Sequence, residues 1–114
     1  MRVFRRDFIV AAALALVGTA PALARQDAKA APKTPVILVV GDSLSAEYGL
    51  PRGSGWVALL EKRLAQQKTN ATVINASVSG DTTAGGRARL PALLRQHNPT
   101  LVVIELGAND ALRG

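Results

Sequence analysis

Val36-Ile37-Leu38-Val39-Val40-Gly41-Asp42-Ser43-Leu44-Ser45, residues 36–45, joins an unbroken apolar run directly to a small polar turn. Four of the five leading residues are β-branched, and no polar residue alternates with them. A strand with one wet face would alternate. This pattern therefore predicts a strand covered on both faces, as in the interior of a parallel sheet. Gly41-Asp42-Ser43 ends it. In open α/β sheets ligands sit beyond the carboxyl ends of the strands, which makes Ser43 the expected position of a reactive group.

Downstream, Ala46 to Ser54 contains Gly49, Pro51 and Gly53 and reads as a loop over the carboxyl edge. Trp56, Leu59, Leu60 and Leu64 recur at helical spacing, predicting a helix that lays this stripe on the sheet, with Ser54 as its N-cap. Ala71 to Asn75 reads as a second strand, followed by the polar run Ser77 to Thr83. A second helix is predicted from Thr82 or Thr83 to about His97, with Leu90, Leu93 and Leu94 on its core face. Gly85-Gly86 weakens its first turns, and Pro91 predicts a kink or two short helices. Leu101 to Leu106 is a third strand, nearly all apolar and so expected to be central, which runs into Gly107-Ala108-Asn109-Asp110. The order β-α-β-α-β with short connections predicts an α/β fold: a parallel sheet, right-handed crossovers, three layers.

Upstream, residues 1–24 have the pattern of an export signal: Arg2, Arg5 and Arg6, an apolar run from Phe8 to Val17, then Ala22-Leu23-Ala24 with small residues at the cleavage positions. Arg5-Arg6 also resembles a twin-arginine signal. Gly18, Thr19 and Pro21 break the apolar run well short of the roughly 20 residues a membrane span needs. A periplasmic or secreted location is expected, reached through the export machinery. Residues 25–35, rich in Ala, Pro and Lys, are expected to form a disordered tether, leaving residues 36–114 as the folded part.

The chain has 114 residues, room for one domain, and a formal net charge of +6. Arg2, Arg5 and Arg6 against Asp7 supply +2 of that, and the +4 left from Arg25 onward does not amount to a nucleic-acid surface. Cysteine is absent, which excludes thiol catalysis, disulfides and Cys-ligated metal sites. Gly53-Ser54-Gly55-Trp56-Val57-Ala58 matches a dinucleotide fingerprint by letter, but it follows a loop, and the second strand ends in Asn75 where an acid is needed. Gly80 to Gly86 lacks the Lys-Ser/Thr of a phosphate loop.

Three polar turns thus fall at the carboxyl ends of three parallel strands: Gly41-Asp42-Ser43, Ser79-Gly80-Asp81 and Gly107-Ala108-Asn109-Asp110. They offer a hydroxyl, a glycine whose N–H a substrate can approach and a side-chain amide, the groups acyl transfer requires. Taken singly, each also suits a turn.

Gly41-Asp42-Ser43-Leu44, the Gly80 block (Asn75 to Thr83) and Gly107-Ala108-Asn109-Asp110 resemble, in order, three blocks of the SGNH, or GDSL, hydrolases, in particular the secreted bacterial thioesterase I, lysophospholipase L1 and arylesterase branch. The resemblance runs from about Val36 to Gly114. It implies a three-layer α/β/α flavodoxin-like sheet of which these residues hold the first three strands. It also implies a serine hydrolase of carboxylic esters or thioesters, small-molecule or lipid, that needs no cofactor. By resemblance, Ser43 is the nucleophile and an oxyanion donor, Gly80 gives a second N–H, and Asn109 a side-chain donor. The family's fourth block, Asp-x-x-His, is not found. The sole histidine is His97, followed by Asn98-Pro99 and expected at the amino edge of the sheet. Asp42, Asp81 and Asp110 cannot replace an imidazole. The chain is accordingly expected to be the amino-terminal portion of a longer hydrolase, or else a truncated product that at most binds acyl ligands.

Overall fold

The structure, a computed structural model, describes residues 30–114. The expected export signal, and the tether up to residue 29, lie outside the described residues; Ala30 to Pro35 are exposed and form no helix or strand. Among the described residues no helix is long and apolar enough to cross a membrane.

The opening stretch forms β1 (Val36–Gly41), which lies between β2 (Thr72–Asn75) and β3 (Leu101–Glu105) in a parallel sheet ordered β2-β1-β3. Leu38, Val39 and Val40 point alternately to the two faces, and all are buried, as an unbroken apolar run requires. Ile37 faces Val73 on one side and Leu101 on the other, while Gly41 stands opposite Glu105. Among the described residues the third strand, expected to be central, stands beside β1 at one side of the three-stranded sheet, with Leu101 and Ile104 (61%) exposed. Composition reports that a strand is apolar. Its place in the order is set by the crossovers, the first of which steps to one side of β1 and the second back past it. With right-handed crossovers these opposite steps put the two connecting helices on opposite faces, giving three layers in the 2-1-3 order of flavodoxin-like sheets.

The first helix, α1 (Trp56–Gln66), starts after Gly55 with no side-chain cap. Ser54 is not that cap, because its Oγ donates to Pro51 O at 2.6 Å. The inward face is also rotated from the expected stripe. Val57 is buried and Leu60 and Leu64 half-buried, while Leu59 is 54% exposed. Trp56 sets the phase, since its indole N–H turns to Ser45 Oγ at 2.9 Å instead of lying on the sheet.

Between β2 and β3, α2 (Thr83–His97) is one helix, not two, with Pro91 inside it. Both ends are secured: Thr82 Oγ1 accepts the Gly85 N–H at 3.2 Å, and Asn98 takes the left-handed conformation (φ 43°) just past the last turn. Pro91 removes one hydrogen bond from an exposed position, which the capped helix tolerates. Gly86 is buried, and a Cβ there would run into Leu106 Cδ1 and stand 3.8 Å from Val40 Cγ1. The glycine pair that reads as a weakness thus includes a point of close approach to Val40 and Leu106. Leu90 and Leu93 are half-buried, but Leu94 is exposed. A short helix that the sequence did not suggest, α3 (Ala108–Arg113), follows β3 after Gly107, whose φ of 122° makes the sharp turn.

Candidate active site

The carboxyl ends of β1 and β3 meet at the switch point of this strand order, where an α/β sheet opens a crevice. Ser43 lies half-buried in the turn that leaves β1. That turn is wound by Ser45 N–H and Ala46 N–H, which both donate to Asp42 O (3.2 and 3.0 Å), and by Leu44 N–H to Asp42 Oδ1 (2.9 Å). Asp42 is 1% exposed, so its carboxylate acts within the turn rather than toward solvent. The Ser43 N–H and Oγ have no partner among the described residues.

Gly80 sits in a tight turn closed by Asp81 N–H to Val78 O at 3.1 Å, at φ 82°, a conformation that favours glycine. It is exposed, and its N–H likewise has no acceptor among the described residues. The turn is fixed from α2: Arg89 forms an ion pair with Asp81 Oδ2 at 2.7 Å and donates to Ala76 O at 2.8 Å. It is also tied to the first turn, since Val78 N–H donates to Gly41 O at 3.0 Å.

Asn109, in the first turn of α3, links the two. Its Nδ2 donates to Asp81 O at 2.8 Å and to Asp42 Oδ2 at 3.3 Å, touching the residue after Gly80 and the residue before Ser43. Asp110 is turned away: it accepts the Thr83 hydroxyl (2.7 Å) and the Thr83 N–H (2.8 Å), capping α2. Those bonds, the hydroxyl's first, hold its carboxyl below the usual range. His97 ends α2 while Thr83 begins it, so about 20 Å of helix separate the imidazole from this crevice.

Several residues that sequence reading passed over hold the site. Glu47 accepts the N–H groups of Gly53 (3.0 Å) and Gly55 (2.9 Å), pinning the long loop after the Ser43 turn and lowering its own pKa by those bonds. Ser45, 1% exposed, donates its hydroxyl to Glu105 Oε2 at 2.8 Å, and Asn75 Nδ2 donates to Ser45 O at 2.7 Å. Alongside, a cleft of about 340 Å³ opens between that loop and the end of β2. Its lining includes Leu50, Arg52 and Ser77, and the Ser77 hydroxyl is buried with no partner among the described residues. No group of three or more metal-ligating side chains occurs among the described residues.

Residues 39–114 match the GDSL-like lipase/acylhydrolase family. Over 78 residues, 68% of the chain, the sequence is 65% identical to esterase TesA of Pseudomonas aeruginosa. It is 55% identical over the same length to thioesterase 1/protease 1/lysophospholipase L1 of Escherichia coli K12. The chain spans 39% and 36% of the lengths of these two relatives. Among solved structures, AlinE4, an SGNH-hydrolase family esterase, superposes with a TM-score of 0.66 at 48% identity, over 74% of this chain and 46% of that one. The matched region contains all three polar turns, β2, β3 and the last half of β1, and the chain belongs to the GDSL-like lipase/acylhydrolase family.

Proposed function

We propose that the chain carries the nucleophile and the oxyanion donors of a hydrolase of carboxylic esters or thioesters. Ser43 Oγ attacks the acyl carbon, and the N–H groups of Ser43 and Gly80, with Asn109 Nδ2, receive the oxyanion that forms. The observation that carries this reading is the Asn109 amide, which touches both Asp42 and Asp81 and so joins the turns of Ser43 and Gly80. The two unpartnered N–H groups support it. Asn109 also carries a weak bond to Asp42 Oδ2, at 3.3 Å, that it can give up to a developing negative charge at little loss. Serine acyl transfer needs no metal or organic cofactor.

A general base is the element these residues do not supply. His97 stands at the remote end of α2, and a serine without an adjacent base is a weak nucleophile. Without a base both acylation and deacylation are slow, so these residues hold the nucleophile and its oxyanion donors in place without the group that activates them. The names of its relatives suggest aryl esters, acyl thioesters and lysophospholipids as substrate classes. The export-signal pattern of residues 1–24 suggests action outside the cytoplasm.

Two measurements on the purified chain test this. A p-nitrophenyl alkylphosphonate, which mimics the tetrahedral intermediate and reacts once, is expected to modify Ser43, as read by peptide mass, and to leave Ser43→Ala unmodified. Turnover of p-nitrophenyl esters is expected to stay near the Ser43→Ala background. Absence of modification at Ser43 even at alkaline pH and long exposure, where solution hydroxide takes the place of the missing base, would remove it as nucleophile, while ester turnover matching a complete hydrolase would show that a base lies within these residues.

A further inference from the structure

We propose that Glu105 is the positioning residue of the Ser43 turn and that it acts through Ser45; the inference rests on the reading of Ser43 as nucleophile. The Ser43 hydroxyl is held by no hydrogen bond among the described residues, so its place is set by the backbone on either side. Glu105, the last residue of β3, stands opposite Gly41 and reaches both shoulders of the turn. Its Oε2 accepts the Ser45 hydroxyl at 2.8 Å on the far side and the Asp42 N–H at 3.4 Å on the near side.

The direction of each bond is determined. An indole nitrogen only donates, so Trp56 Nε1–H fills the acceptor side of Ser45 Oγ at 2.9 Å. The hydroxyl proton is then directed to Glu105, which must accept. The Ser45 carbonyl receives Asn75 Nδ2–H from the opposite strand at 2.7 Å. One buried serine thus ties the turn to α1, β2 and β3 together. The packing leaves no slack: a Cβ on Gly41 would stand 2.6 Å from Ser45 Oγ and 3.0 Å from Glu105 Oε2. Held on one side only, the turn would be free to shift. A displacement of about 1 Å in a reacting group can lower a rate by about 10²-fold.

The test uses the full chain and its variants Glu105→Gln, Glu105→Ala, Ser45→Ala and the double alanine. Three signals are read: hydrogen exchange at the Ser45 and Ala46 amides, emission of Trp56, which is the only tryptophan, and the rate of Ser43 phosphonylation. Glutamine keeps an accepting oxygen, so Glu105→Gln is expected to preserve all three. Glu105→Ala and Ser45→Ala are each expected to raise turn exchange roughly tenfold, to shift Trp56 emission and to slow phosphonylation by about 10- to 100-fold. Because Glu105 acts through Ser45, the double variant should be no worse than either single one. Glu105→Ala removes the half-buried charge together with its bonds, whereas Ser45→Ala keeps the carboxylate on the Asp42 N–H alone and decides the matter if Glu105→Ala does not fold.

A folded alanine variant with wild-type exchange and emission would overturn the proposal, as would Glu105→Gln failing as badly as Glu105→Ala, or additive losses in the double variant. Failure of the nucleophile reading is distinguishable: wild-type Ser43 would then go unmodified while exchange and emission still respond to Glu105.

Discussion

Asn109 has two amide hydrogens, and both are engaged in the resting site, one strongly on Asp81 O and one weakly on Asp42 Oδ2. On the proposed reading, replacing it with alanine removes an oxyanion donor, and Asn109→Ala is expected to slow phosphonylation of Ser43 by about 10²- to 10³-fold, measured as p-nitrophenol release. Two carboxylates outside the chemistry carry a pH prediction. Glu47 and Asp110 have pKa values lowered from ordinary values of 4.5 and 3.8, Glu47 first by the Gly53 N–H and Asp110 first by the Thr83 hydroxyl. A lowered folded pKa means that the unfolded chain takes up protons first as the solution is acidified. The stabilisation is complete above pH 4.5 and fades as the pH falls through the lower folded values. Thermal melts from pH 7 to pH 3 should show the midpoint falling below about pH 4.5, with less of a fall in Glu47→Gln. The turns that carry Ser43, Gly80 and Asn109 were legible because each is a short polar block following a strand. Glu105 was not, since it sits in an apolar run and meets its partners from 60 and 63 residues away.

The strands and both long helices follow from apolar periodicity and turn residues, to within a residue or two at each end. What the pattern misjudged was helix phase. Leu59 and Leu94 have the spacing of core residues, yet they are exposed, and the buried or half-buried positions include Val57, Leu60 and Leu64 in α1 and Gly86, Leu90 and Leu93 in α2. Periodicity fixes which residues share a face, but two adjacent faces of similar hydropathy are separated only by tertiary contacts, here Trp56 with Ser45 and Gly86 with Val40 and Leu106. The short α3 left no apolar pattern to find; it depends on the Gly107 backbone. The integrity of α2 despite Pro91 has a measurable counterpart. Pro91 is exposed and occupies a helix interior. Pro91→Ala restores the missing bond and is expected to stabilise the chain by about 1–3 kcal/mol in urea unfolding.

Across the whole sheet, hydrophobic cover is uneven. β1 is buried from both faces, but β3 leaves Leu101 and Ile104 exposed beside its unpaired edge among the described residues. An apolar edge of this kind templates pairing with another chain. The 114-residue chain is expected to self-associate as its concentration rises, and Ile104→Lys to suppress this in sedimentation velocity without moving the strand. The same sheet also constrains which sequences can build it. A methyl group at position 41 and a hydroxyl at position 45 claim the same volume, 2.6 Å apart, with the Glu105 carboxylate next to both. Positions 41, 45 and 105 are therefore not free to vary one at a time. The glycine that opens the first block is required by Ser45 in the turn and by Glu105 on β3, and because Ser45 Cβ also stands 2.8 Å from that position, giving up the hydroxyl of residue 45 does not by itself make room for a larger residue 41.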